Sequence, residues 1–300
     1  MKKTNGKKIS LVLGSGGARG YAHIGVIEEL ERQGYEIVCI SGASMGALIG
    51  GLHAAGKLQE YKKWVLGLDA LDVMGLLDFS WDSRGMVRGD KVLRKLEKIL
   101  GKARIEELPI DYTAVATDLR RNREVWFQEG DLLEAIRASI AIPSFFTPVE
   151  KDGMLLVDGG AVDPLPVAPT MASHSDLTIA VSLFGEGPAP RIDMPEEVRL
   201  KESKLDEIAS EIIARTRRWF ETRTSDEEKE EEKSYHLFDI IDKTIDSMQK
   251  TLLGYRLGGY PPDLMIEIPQ EVCGALDFHK AWEVIETGRF YAQRALENIG

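Results

Sequence analysis

Residues 42–46 are Gly42-Ala43-Ser44-Met45-Gly46, a G-x-S-x-G pentapeptide between the apolar run Ile37-Val38-Cys39-Ile40 and the small-residue stretch Ala47 to Ala55. Placed between a strand and a helix, this spacing holds Ser44 in a strained turn that exposes its hydroxyl, and Gly42 and Gly46 remove side chains that would clash. Ser44 then opens a helix, whose dipole favours a developing alkoxide or oxyanion. The chemistry is nucleophilic attack, which needs a base and a set of oxyanion donors. Gly14-Ser15-Gly16-Gly17-Ala18-Arg19-Gly20 suits the second need, because small residues after a strand leave several backbone N–H groups free to converge. A phosphate cradle is the rival use of such a loop. The dinucleotide pattern G-x-G-x-x-G fails, since Arg19 stands where its last glycine belongs, and the chain has no Gly-Lys-Ser/Thr of the P-loop kind here.

For the base, the order serine, acid, histidine points to His236 or His279, but the first adjoins an acidic run and the second falls in a closing helix. His23 and His53 fall on helices and His174 in a polar loop, where structural or exposed roles are expected. Asp158 has the better setting. It follows the strand Leu155-Leu156-Val157 and is released by Gly159-Gly160, so it is firmly held yet able to take the Ser44 proton directly. Asp118, after Thr113 to Thr117, is the competing carboxylate, and Asp163 a weaker one.

These groups must be carried by a scaffold, and the periodicities supply one. Lys8 to Leu13 is a strand, followed by the Gly-rich turn and a helix marked by Ile24, Ile27 and Leu30 up to Gln33-Gly34. Residues 37–55 repeat the strand-turn-helix unit, and two such units imply a parallel sheet covered by helices. Further strands are expected at 112–117, 124–127, 154–157, 177–183 and 264–268, and helices at 91–100, 132–139, 237–252 and 278–296. With no internal repeat and no linker rich in Pro, Gly or Ser, residues 1–300 are expected to form one domain with a charged helical excursion over about 186–255.

Composition narrows the classes. The 300 residues are 43% hydrophobic and 29% charged, enough to bury a sizeable core. A net charge of −11 argues against nucleic-acid partners, and part of it is the run 226–233, whose bland explanation is a solvated face. Two cysteines, Cys39 and Cys273, exclude a disulfide framework and a thiolate zinc site, so both are expected to be buried small hydrophobes. No run of 18 apolar residues is available to cross a bilayer, and Met1 to Ser10 does not resemble a signal peptide. A cytoplasmic protein, at most peripheral at a membrane, is the expectation; the oligomeric state is not legible.

Gly16-Gly17-Ala18-Arg19-Gly20, then Gly42-Ala43-Ser44-Met45-Gly46, then Asp158-Gly159-Gly160, in that order, make the chain resemble the patatin-like phospholipases, lipid acyl hydrolases with a Ser-Asp dyad. The likeness runs through about residues 8–183 and includes Tyr21 to Val26, Ala116 to Leu119, Ile136 to Ser139 with Ile142-Pro143, and Asp163 to Val167. Ser15 departs from the family's usual glycine, which is tolerable where only a backbone donor is needed. The resemblance implies a three-layer α/β/α sandwich with a mostly parallel central sheet, an acyl-lipid substrate, and no metal, cofactor or histidine. It implies that Ser44 attacks and Asp158 shuttles the proton, while N–H groups around Gly16, Gly17 and Ala18 hold the oxyanion. Gly14, Gly20, Gly42, Gly46, Gly159 and Gly160 shape these turns. Arg19 matches the family's basic residue, fixing the loop or, less favoured, facing a lipid phosphate.

An acyl chain needs an apolar trough, and Trp64 to Trp81 together with Phe145-Phe146 are rich enough for one, although core packing is the blander use. The helix expected at 237–252 carries Asp239, Asp242 and Asp246 on its polar face, which favours packing on the sheet over lying on a membrane. Two other functions stay open on sequence grounds: a non-catalytic lipid- or protein-binding member of the same fold, and an esterase with a Ser-His-Asp triad.

Overall fold

The apolar runs of the sequence become the strands of one eight-stranded sheet in a computed structural model, which describes residues 6–68, 72, 90–142, 146–196, 198 and 237–297. In chain order the strands are β1 (Lys8–Leu13), β2 (Glu36–Ala43), β3 (Asp111–Asp118), β4 (Arg123–Phe127), β5 (Val149–Lys151), β6 (Met154–Asp158), β7 (Leu177–Gly185) and β8 (Leu264–Pro269). The helices are α1 (Ala22–Arg32), α2 (Met45–Ala54), α3 (Leu58–Gly67), α4 (Asp90–Leu100), α5 (Leu132–Ser139), α6 (Leu237–Gly259) and α7 (Ala281–Glu297).

The order across the sheet is β5-β6-β3-β2-β1-β7-β8, with β4 also on β3. From β3 to β8 every pairing is parallel. Strands buried on both faces suit this arrangement, and β1 and β7 are correspondingly near-continuous apolar runs. Side-chain alternation then divides the core between the two faces. Leu11, Leu13, Ile179 and Val181 join the large cluster that includes residues of α1, α2, α4 and α7. Val12, Ala180 and Phe184 point the other way and pack with Leu165, Val167 and Leu253 of α6. The expected sandwich, a mostly parallel sheet between helical layers, is therefore what forms.

Four details differ from the sequence expectation. The strands β4, β5 and β6 make the far side of the sheet antiparallel, and the short β5 carries no apolar pattern of its own. The helix expected to end at 252 continues as α6 to Gly259. The closing helix starts at Ala281 rather than 278, and residues 58–67 form α3 with Trp64 and Leu66 partly buried against the core. Much of the expected apolar trough, residues 69–71, 73–81 and Phe145, lies outside the described residues, as do His236 and most of the charged excursion, 199–236. Both cysteines are free and buried, as expected.

Candidate active site

Strand β3 acts as a ruler that brings two sequence-distant residues together. Its residues Asp111 to Val115 pair with β2, ending at Val115 with Ala43, and its next residue, Ala116, pairs with Asp158 of β6. Because β4 occupies the opposite edge over residues 114–118, β2 and β6 share one edge and meet end to end. Ser44 and Asp158 therefore lie at the junction of two strands held by consecutive rungs. Gly159 fits there only without a side chain, since a Cβ would lie 2.1 Å from the Val115 carbonyl and 3.3 Å from the Ala43 Cβ.

Ser44 has φ 56° and ψ −125°, a sparsely populated conformation for a residue with a Cβ, and it caps α2. The strain is held by packing and by one hydrogen bond. Gly46 lies against the end of β1, where a Cβ would meet the Leu13 carbonyl, and Gly42 backs onto Gly46. The Ser44 N–H donates to Ser139 Oγ at 2.9 Å, and Ser139 Oγ donates to the Val115 carbonyl at 2.6 Å. Ser139, at the end of α5, thus ties the Ser44 backbone to the ruler strand. Sequence reasoning counted Ser139 in the family likeness but gave it no role; the other signal was a polar residue ending an otherwise apolar helix face.

Asp158 is held as firmly. Its N–H donates to the Ala141 carbonyl at 3.0 Å, its own carbonyl accepts from Thr117 Oγ1 at 2.9 Å, and its Oδ1 accepts from the Gly160 N–H at 2.8 Å. The other oxygen, Oδ2, is buried with no hydrogen-bond partner among the described residues. Burial pushes the carboxyl up to about 6, only partly opposed by the Ser44 hydroxyl and the Gly160 N–H. Among the described residues no histidine contributes to that shift. The competing carboxylates have other engagements: Asp118 accepts from Arg121 and from the N–H groups of Arg120 and Leu155, and Asp163 faces Glu124 and Arg256.

The Gly-rich loop runs from β1 into a short 3-10 turn, Gly17–Tyr21. The N–H groups of Gly14 and Ser15 are used by the Val181 and Pro164 carbonyls, and that of Ala18 by the Ala275 carbonyl at 2.8 Å. Among the described residues, none accepts from the N–H groups of Gly16 and Gly17. Gly17 has φ 58°, and a Cβ there would collide with Ala275. Gly20 makes room for Met45, the residue after Ser44. His23 is fully buried and donates from Nε2 to the Gly14 carbonyl at 2.8 Å; burial lowers it to about 4, so it is a neutral strut of the loop. Arg19 is also buried. Its Nε donates to the Gly16 carbonyl at 3.1 Å and its Nη2 pairs with Asp246, so the guanidinium serves the loop and does not face outward to a phosphate.

Two further features bound the site. Among the described residues no group of three His, Cys, Asp or Glu side chains is arranged to hold a metal ion. A cavity of about 510 Å3 opens beside Phe184, Lys250, Met265 and Tyr291, and neither Ser44, Asp158 nor the Gly-rich loop lines it.

A strained serine at a strand-helix turn, a buried strand-end aspartate and a Gly-rich loop with two backbone N–H groups that no described residue accepts from define one class, and comparison agrees: the chain belongs to the patatin-like phospholipase family, whose model matches residues 11–171. Within it, the chain is 41% identical over 336 aligned positions to an uncharacterized NTE family protein of Mycobacterium tuberculosis, covering 99% of this chain and 93% of that one. It is 32% identical to Lysophospholipase NTE1 of Saccharomyces cerevisiae over 60% of this chain and 11% of the yeast protein. Among solved structures, VipD from Legionella pneumophila aligns with a TM-score of 0.49 at 15% identity, over 98% of this chain and 67% of that one.

Proposed function

We propose that this chain hydrolyses carboxylic esters of lipids, with Ser44 as nucleophile and Asp158 as general base in a dyad. The observation that carries the proposal is the junction on β3, where a strained serine meets a carboxyl whose proton affinity has been raised toward neutrality. A base near 6 is largely ionised at pH 7, yet basic enough to take a proton as the hydroxyl attacks. Asp158 accepts the Ser44 Oγ proton while Oγ bonds to the acyl carbonyl carbon. The N–H groups of Gly16 and Gly17 receive the oxyanion; Ala18 adds its own only by releasing Ala275. Collapse breaks the ester bond, and Asp158 returns the proton to the departing alcohol. Water, deprotonated by Asp158, then attacks the acyl-enzyme and regenerates Ser44.

The yeast relative named a lysophospholipase makes single-chain phospholipids the first substrates to try. Among the described residues no helix is long and apolar enough to cross a membrane, so contact with lipid is expected to be peripheral. The exposed side chains of Ile245, Met248 and Tyr255 on α6 offer apolar surface for it. We take residues 1–300 as one domain built on the single sheet.

Labelling with a fluorophosphonate probe, beside Ser44→Ala and Asp158→Asn, tests the dyad. Labelling of the wild type that vanishes in both folded variants is the expected result, followed by fatty-acid release from lysophosphatidylcholine. A folded wild type that never labels would turn attention to a lipid-binding member of the fold without catalysis.

A further inference from the structure

The Gly-rich loop is braced from a part of the chain well beyond residue 171, where the family match ends. Arg19, 4% exposed in its side chain, donates from Nη2 to both carboxylate oxygens of Asp246 on α6, each at 3.0 Å. Asp246 also accepts from Gln270 Nε2 at 3.4 Å, which fixes its second oxygen from the β8 side of the sheet. The same guanidinium donates from Nε to the Gly16 carbonyl and lies 5.9 Å from the centre of the Phe184 ring.

The consequence lies in one peptide plane. The carbonyl of Gly16 and the N–H of Gly17 belong to the same trans peptide unit, so they point in opposite directions. Holding the carbonyl at Arg19 therefore aims the Gly17 N–H away from Arg19. Gly17 has φ 58° and is a glycine, so without that hold its peptide is among the freest in the loop. A buried guanidinium stays in place only if its charge is met, and Asp246 is the carboxylate that meets it. We infer that Asp246 is a positioning residue: through Arg19 and the Gly16 carbonyl it sets the direction of the Gly17 N–H that receives the oxyanion. This rests on the hydrolase reading above and adds to it a residue of α6.

The test uses the full chain with three readouts: fluorophosphonate labelling against a Ser44→Ala blank, kcat and KM on a p-nitrophenyl acyl ester, and inhibition by an alkyl trifluoromethyl ketone. The ketone is held as a tetrahedral oxyanion adduct of the serine, so its affinity reports on the hole itself. Asp246→Asn should lower kcat by about 10- to 100-fold, in keeping with a misaimed rather than deleted donor, and leave KM within about twofold. Ketone affinity should weaken in parallel, and Asp246→Glu should restore most of both. Should Asp246→Asn fail to fold, Arg19→Lys takes its place: the single ammonium nitrogen can still meet Asp246 but leaves no donor where Arg19 Nε stood against the Gly16 carbonyl, and the same paired loss is expected. Unchanged kcat and ketone affinity in a folded variant would overturn the inference, as would a lower kcat with unchanged ketone affinity, the mark of a merely structural residue. A wild type that does not label removes the hydrolase reading itself, and this inference with it.

Discussion

Asp158 and Asp118 end neighbouring antiparallel strands, β6 and β3, and both are buried, yet their carboxyls are driven in opposite directions. Burial raises each. At Asp118 it is outweighed by Arg121 and by the N–H groups of Leu155 and Arg120, and the carboxyl falls below its ordinary value. At Asp158 the opposing donors are the Ser44 hydroxyl and the Gly160 N–H, with no cation among them, and burial wins. The fold thus gives the same residue type a lowered and a raised proton affinity at two strand ends. Both side chains are covered from solvent, but Asp158 lies deeper, and the donors supplied differ in number and charge: a cation and two N–H groups at Asp118, a hydroxyl and one N–H at Asp158.

The largest effect expected from this contrast is on turnover. Asp158→Asn should lower kcat/KM by about 10³-fold or more, the scale of losing a general base, while Asp118→Asn should leave it within a few-fold. The same pair should move stability in opposite directions. The folded-state value of Asp158 is raised, so ionising it costs the native state, and stability falls as pH rises from about 4 through about 6. At pH 8 Asp158→Asn should therefore be more stable, by about 1–3 kcal/mol in urea unfolding. The folded-state value of Asp118 is depressed, so its contribution is present at neutral pH and fades in acid. Asp118→Asn should melt earlier than the wild type at pH 7, with the difference narrowing as pH drops. Equal losses of turnover in the two variants would dissolve the distinction.

A smaller, graded effect belongs to pH. If Asp158 is the base, kcat/KM should fall about tenfold per pH unit below about 6, with a single ionisation, and level off above it. In Asp118→Asn the midpoint should stay where it is. A profile flat from pH 5 to 8 would place the base elsewhere.

Both carboxylates were visible in the sequence as strand-end acids, and so were the serine turn and the Gly-rich loop. Asp158 was preferred on its setting, but the full contrast was not visible: Arg121 and Gly160 are near neighbours of Asp118 and Asp158 in sequence, whereas the Leu155 N–H reaches Asp118 only through the register of β6 against β3. That register is a long-range pairing of two short strands, and short strands carry little information about their partners. The parallel half of the sheet was legible for the opposite reason: β1, β2 and β7 are apolar on both faces, and few folds bury such runs. Ala18 was expected among the oxyanion donors, and its engagement by Ala275 is a contact between residues near opposite ends of the chain. Asp246 sat on what looked like a solvated helix face, and only the buried partner Arg19 gives it another meaning.

The smallest effects should come from the two hydroxyls that pin the backbone on either side of the junction. Ser139 Oγ accepts the Ser44 N–H and donates to Val115, while Thr117 Oγ1 donates to the Asp158 carbonyl. Neither touches a reacting atom, so each acts by keeping two side chains in register. Thr117→Val keeps the shape and removes one neutral hydrogen bond, a loss of about 1 kcal/mol in stability, and should slow turnover by no more than about threefold. Ser139→Ala should cost more, about tenfold in kcat, because the Ser44 N–H becomes a buried donor without an acceptor at the most strained residue of the site. Rates of probe labelling in the two variants, compared at equal folded fraction, check the order. If Thr117→Val proved the more damaging, the aspartate's placement rather than the serine's strain would be the limiting geometry of the dyad.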